Sequence, residues 1–155
     1  MDVQQMLCVK EVIMRKLTKD GYYTNNHSCF LLQYHMILVT KFRKPVLDGP
    51  VKEHVYSTIR KTLEEKHVIL NEINGEPDHI HMLITCGPEL SPLEIANVLK
   101  TRTARFVWRD MPDEVSRTYW NTERHFFWSK SYFVSTVGAV NEEAVKRYIQ
   151  NQGND

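Results

Sequence analysis

The stretch "HVILNEINGEPDHIHMLITC", residues 67–86, holds two apolar, β-branched runs separated by turn-forming residues. "HVILNEIN" and "HIHMLITC" each read as a strand. Asn74-Gly75 and the nearby Pro77 predict a hairpin between them.

A helix is expected on the N-terminal side, from about Pro50 to Lys66. Val51, Val55, Ile59 and Leu63 recur every four residues as one apolar stripe. Gly49-Pro50 suits its start, because proline is tolerated in a first helical turn. Before it, "CFLLQYHMILVTKF" reads as one long strand. On the C-terminal side, "SPLE" opens a second helix that runs to about Arg109. Ser91 is its N-cap, Pro92 its first residue and Glu94 the partner in a capping box. "MPDEVSRTYWNTERHFFWSK" reads as irregular, "SYFVSTVG" as a fourth strand, and a last helix starts near Asn141. Val3, Met6, Leu7, Ile13 and Leu17 suggest a short amphipathic leader helix over 2–17, with "KDGYYTNN" as a turn.

The order β-α-β-β-α-β-α predicts an α+β fold. It is that of a ferredoxin-like, split βαβ antiparallel sheet with helices on one face, plus a C-terminal helix. Residues 1–26 are expected to be an N-terminal extension and 27–155 the single functional domain.

The chain has 155 residues and a formal net charge of +1, which argues against a protein that coats nucleic acid everywhere but leaves room for a local basic patch. Its three cysteines are odd in number and widely spaced, so a disulfide framework or cysteine zinc site is not expected. No signal peptide or membrane-length apolar run occurs, which leads us to expect a cytoplasmic protein. No nucleotide-binding P-loop, dinucleotide glycine pattern, G-x-S-x-G or H-E-x-x-H is present.

Side chains alternate faces along a strand. His79 and His81 therefore point one way if Ile80, Met82 and Ile84 face the helices. Two imidazoles side by side on an open sheet face can chelate a divalent ion. Taken alone, an H-x-H is more often an ordinary pair of surface histidines. Tyr148 and Gln152 lie one turn apart on the last helix. A metal that withdraws charge from a phosphate makes attack by a tyrosine hydroxyl feasible, and Gln152 would add an oxygen ligand. The ordinary alternative is a tyrosine that packs its ring and leaves its hydroxyl wet. Glu76 is either an auxiliary ligand or a solvated turn carboxylate.

Lys41, Arg43 and Lys44 cluster around Phe42, and Lys100, Arg102, Arg105 and Arg109 follow the second helix beside Phe106 and Trp108. Cations among aromatics suit a phosphate backbone with unpaired bases, although any surface helix also needs a solvated face.

Taken in order, "YHMILVTKFRKPVL" (Tyr34 to Leu47), "DHIHML" (Asp78 to Leu83), "SYFVSTVG" (Ser131 to Gly138) and "VKRYIQNQ" (Val145 to Gln152) resemble the HUH-superfamily tyrosine transposases of insertion sequences that move as single-stranded DNA. The resemblance runs from about His27 to Gln152. It implies His79, His81 and Gln152 as ligands of Mg2+ or Mn2+, and Tyr148 as a nucleophile that forms a 5′-phosphotyrosine on single-stranded DNA. It also implies hairpin recognition at the element's ends, no need for ATP, and a homodimer that can exchange the Tyr148 helix about a linker containing Gly138. Residues 1 to about 22 are additional to the usual start of such proteins.

Two other readings stay open. A domesticated, noncatalytic binder of hairpins or single strands would use the same surface, although "HIHMLITC" lacks the pattern of an RNA-recognition strand. A metal-dependent phosphodiesterase would use water and make no covalent link.

Overall fold

The protein was analysed as a computed structural model, which describes residues 15–16, 22–25, 27–120, 123–137 and 149–151. Its main sheet contains β4 (Leu32–Val39), β5 (Ile69–Glu76), β6 (His79–Cys86) and β7 (Phe133–Thr136). They lie in the order β5-β6-β4-β7, and every neighbouring pair is antiparallel. A smaller sheet joins β1 (Arg15–Lys16), β2 (Tyr23–Thr24) and β3 (Cys29–Phe30). The helices are α1 (Gly49–Glu65), α2 (Pro92–Asp110) and the short α3 (Pro112–Ser116).

One face of the main sheet packs against α1 and α2. Met36 and Leu38 of β4 join Ile80, Met82 and Ile84 of β6, all fully buried, with Val55, Ile59 and Leu63 of α1 and Ile95 and Leu99 of α2. The four-residue stripe of α1 is thus its packing face. Asp48 caps α1 by accepting from the Gly49 amide. The capping box of α2 forms as expected, with Ser91 and Glu94 bonded reciprocally.

Several boundaries differ from the sequence reading. The hairpin turn is Pro77–Asp78, and Asn74 and Gly75 lie within β5, paired with His81 and Ile80. Cross-strand packing keeps the ladder running past the dipeptide that most resembles a turn. The long N-terminal run breaks at Leu31 into β3 and β4, which belong to different sheets. β4 ends at Val39, and Phe42 and Arg43 then take left-handed φ angles of 56° and 51°, which no strand can continue. Tyr23–Thr24, read as part of a turn, is a strand, and so is Arg15–Lys16, at the end of the expected leader helix. The rest of that helix lies outside the described residues.

The aromatic segment is more ordered than "irregular" implies, because "PDEVS" forms α3. The indole nitrogens of Trp108 and Trp128 donate to the Phe126 carbonyl and Thr103 hydroxyl, and the Tyr119 hydroxyl donates to the Lys41 carbonyl. These rings bury their bodies and satisfy their polar ends.

Candidate active site

His79 and His81 project from the sheet face opposite α1 and α2, since Ile80 and Met82 are in the core between and beyond them. Their cross-strand partners complete the site. His79 is flanked by Val39 on β4 and Glu76 on β5, and His81 by Ile37 and Asn74. Val39 and Ile37 are buried, at 1% and 3% exposure, so this face is not open along β4 as the sequence reading supposed. It opens on the β5 side, where a cleft of about 310 Å3 is lined by Lys52, Tyr56, Asn74, Glu76 and both histidines.

The His79 ring is oriented by its own neighbour. Asp78 Oδ1 lies 2.8 Å from His79 Nδ1, and Asp78 Oδ2 lies 3.2 Å from Arg43 Nη2. Burial pulls the Asp78 carboxyl upward. Hydrogen bonds and charge from His79 and Arg43 outweigh it and hold the group below the ordinary carboxylate range. An anionic Asp78 keeps the proton on Nδ1 and leaves Nε2 with its lone pair, the orientation that metal-binding histidines use. Burial lowers the pKa of His81, aided by His79 and His35 and opposed by Glu72. Its ring is therefore neutral at neutral pH, as a ligand must be. On these grounds the two histidines fit a divalent ion.

The lowered His81 pKa has a consequence for stability. The unfolded chain takes up a proton near the ordinary value of about 6.5, before the folded one does. Stability is full above that value and falls as pH drops from it through the lower folded pKa. His81→Gln is expected to flatten this part of the pH dependence, measured as the urea midpoint at pH 7.5 against pH 5.5.

The remaining expected site residues are distributed unevenly. Tyr148, Gln152 and the linker glycine Gly138 lie outside the described residues. Residues 149–151 are helical, and the Gln150 carbonyl accepts from Arg43 Nη1 at 3.3 Å. Glu76 stands directly across from His79. Among the described residues, no three His, Cys, Asp or Glu side chains converge as a metal cluster.

The basic residues do not form one continuous face. Lys41 is buried beside the Phe42 and Phe126 rings, whereas Lys44 is exposed. Lys100 donates to the Lys130 carbonyl. Arg102 pairs with Glu65, and both line a groove between α1 and α2 with Lys61, His54, Arg109 and Asp110. Arg109 is bonded twice to Asp110. Arg105 is exposed and lines a second hollow with Trp108 and His125, whose rings stack at 4.6 Å, and Arg109 borders both this hollow and the groove.

The sequence reading assigned no role to Asp78, although it stands inside the quoted "DHIHML" block. It also missed Asn74 as the neighbour of His81. Adjacency to a candidate ligand was the available signal for Asp78, but a pairing partner on another strand leaves no local mark.

The histidine–hydrophobic–histidine strand, on a mixed α and β fold, stands in a chain whose relatives place it among the HUH-type tyrosine transposases. More narrowly, the chain belongs to the IS200-like transposases, whose family model matches residues 28–152. It is 31% identical over 126 residues to the transposase of insertion sequence element IS200 from Salmonella typhimurium, covering 81% of this chain and 80% of that one. It is 25% identical over 123 residues to the ISDra2 transposase TnpA of Deinococcus radiodurans, covering 79% and 85%. A crystal structure described as a transposase from Deinococcus radiodurans superposes with a TM-score of 0.75 at 25% identity, over 85% of this chain and 98% of that one. A tyrosine transposase solved with a REP hairpin superposes with a TM-score of 0.52 at 9% identity, over 81% and 68%, a likeness of fold alone. Among the described residues no helix is long and apolar enough to cross a membrane.

Proposed function

We propose that this chain cleaves and rejoins single-stranded DNA at hairpin-marked ends of its element, through a 5′-phosphotyrosine on Tyr148. One observation carries the reading: in an IS200-like chain, His79 and His81 share one face of β6, with His79 oriented by Asp78. His79, His81 and Gln152 would hold Mg2+ or Mn2+, with Glu76 as an auxiliary ligand. When bound, the ion supplies positive charge beside the scissile phosphate.

The Tyr148 oxygen attacks phosphorus and its proton leaves to solvent. The bond from phosphorus to the 3′ oxygen breaks, and that oxygen leaves as a protonated 3′-hydroxyl. One phosphoester replaces another, so a later 3′-hydroxyl can reverse the step on a new strand without ATP. The exposed cations Lys44 and Arg105, with Lys100, Arg102 and Arg109, would contact the DNA backbone and so add to the salt dependence of binding, whereas Lys41, expected among these contacts, is buried and Arg43 is engaged with Asp78.

The strand order β5-β6-β4-β7 supports a ferredoxin-like reading of the sheet. Among the described residues β7 is a short edge strand of the main sheet, followed by the exposed Val137, a surface that would suit a homodimer. The Tyr148 helix would serve either its own subunit's histidines or its partner's.

The test is a hairpin oligonucleotide carrying the element's end, incubated with the full chain. A covalent adduct is expected in Mg2+ or Mn2+ and none in EDTA, and His79→Ala with His81→Ala should remove it. Tight hairpin binding without an adduct in either metal would make the chain a noncatalytic binder. Multiple turnover without an adduct would make it a water-using phosphodiesterase.

A further inference from the structure

We propose that Arg43 is a positioning residue, a fork that docks the C-terminal helical segment against the carboxylate that orients His79. The inference rests on the proposed function, since it is the tyrosine-bearing helix that needs a fixed place beside the histidines.

Three segments far apart in the chain meet at this side chain. Arg43 Nη1 donates to the Gln150 carbonyl at 3.3 Å, and Nη2 reaches Asp78 Oδ2 at 3.2 Å. The other oxygen of Asp78 lies 2.8 Å from His79 Nδ1. A continuous polar chain therefore runs from the backbone of residue 150 to the ring of His79. The guanidinium is planar with donors in a fixed fork, so it can hold two acceptors at a set spacing. A lysine ammonium in its place is a single point on a flexible stem.

The backbone around Arg43 is built to aim it. Phe42 and Arg43 are successive non-glycine residues with φ of 56° and 51°, a conformation that side chains rarely adopt and that surrounding structure must impose. That structure is present. The Thr40 amide donates to the Asp78 carbonyl at 3.0 Å, its hydroxyl lies between the Lys44 and Asp78 carbonyls at 2.8 and 3.0 Å, and the Leu47 amide donates to the Pro77 carbonyl at 2.9 Å. The Lys41 amide donates to the Phe127 carbonyl at 2.8 Å. The turn that carries Arg43 is thus tied to the hairpin turn that carries Asp78, so the two charged groups move as one body. Among the described residues, Arg43 Nε has no protein acceptor in reach, so the fork works through its two terminal nitrogens.

Amide hydrogen exchange in metal-free, DNA-free protein tests this. Arg43→Ala is expected to speed exchange at residues 149–151 at least tenfold and to shift the 15N resonances of the His79 ring. Amides of β4 and β6 should keep wild-type rates. Arg43→Lys should show the same local acceleration, because one ammonium cannot span both acceptors. It decides the matter if Arg43→Ala loosens the whole fold. Wild-type exchange at 149–151 in either variant would overturn the proposal. So would an unchanged His79 ring, or a variant whose sole defect is weaker, less salt-dependent DNA binding, which would make Arg43 a phosphate contact. Failure of the wild-type chain to form a DNA adduct would sink the transposition chemistry and leave these exchange readings intact.

Discussion

Tyr148→Phe is expected to abolish the covalent protein–DNA adduct, by at least about a thousandfold in rate, while hairpin affinity stays close to that of the parent chain. The substitution removes one hydroxyl and keeps the ring, so the side chain keeps its apolar atoms and loses its nucleophile. Loss of a nucleophile leaves only what binding and electrostatics contribute, which in covalent enzymes is a small remainder. The informative control is Tyr56. It lines the same cleft as His79 and His81 and is the tyrosine that geometry alone would favour among the described residues. Its chemistry argues against it. Burial raises its pKa, opposed by Arg60 and reinforced by Glu53 and Glu76, so its phenolate is harder to form. Tyr119 is excluded by its bond to the Lys41 carbonyl in a buried site. Tyr56→Phe should therefore keep the adduct. Denaturing gel electrophoresis with labelled hairpin DNA reads both variants, and an adduct that survives Tyr148→Phe would sink the assignment.

Gly75→Ala carries the largest expected effect on stability. In a strand, replacing glycine by alanine ordinarily helps by roughly 0.5–1 kcal/mol, because the glycine backbone loses more freedom on folding. Here a Cβ would lie 2.3 Å from the His79 carbonyl oxygen, 3.0 Å from Ile80 Cα and 3.2 Å from the Tyr56 hydroxyl. Two of these are backbone atoms of the paired strand and cannot swing aside. Overpacking of this kind typically costs about 1–3 kcal/mol, so the clash outweighs the propensity gain and the sign reverses. The urea midpoint should fall. Because the displaced atom belongs to His79, the adduct rate should fall as well, and a misplacement of about 1 Å can cost on the order of 100-fold. A stabilised Gly75→Ala protein with full activity would show that the hairpin accommodates the methyl group by a harmless shift.

The adjacent Asn74-Gly75 shows where local reading fails. The dipeptide has the composition of a hairpin turn, yet the turn is Pro77–Asp78. The glycine is needed because two strands approach closely there, and the need arises from the partner strand. The long apolar run from Cys29 fails similarly. Its composition is uniform, but Leu31 divides it between two sheets because β3 has β2 as partner and β4 has β6 and β7. The stripe of Val51, Val55, Ile59 and Leu63 and the box of Ser91 and Glu94 were legible because their partners lie within a turn or two along the chain.

By itself, the sequence determined the strands of the main sheet and the two long helices packed on it, the shared face of His79 and His81, and the family. These follow from local periodicity, from capping chemistry within four residues, and from the order of short blocks along the chain. Only the tertiary structure decided what surrounds the histidines: Val39 and Ile37 closing one side, Glu76 and Asn74 on the other, Asp78 orienting the first ring, and Arg43 reaching residue 150. Arg43 and Asp78 are 35 residues apart, and Arg43 and Gln150 are 107 apart. Contacts at such separations are set by strand register and by the aim of a left-handed turn, and neither leaves a trace in composition or period.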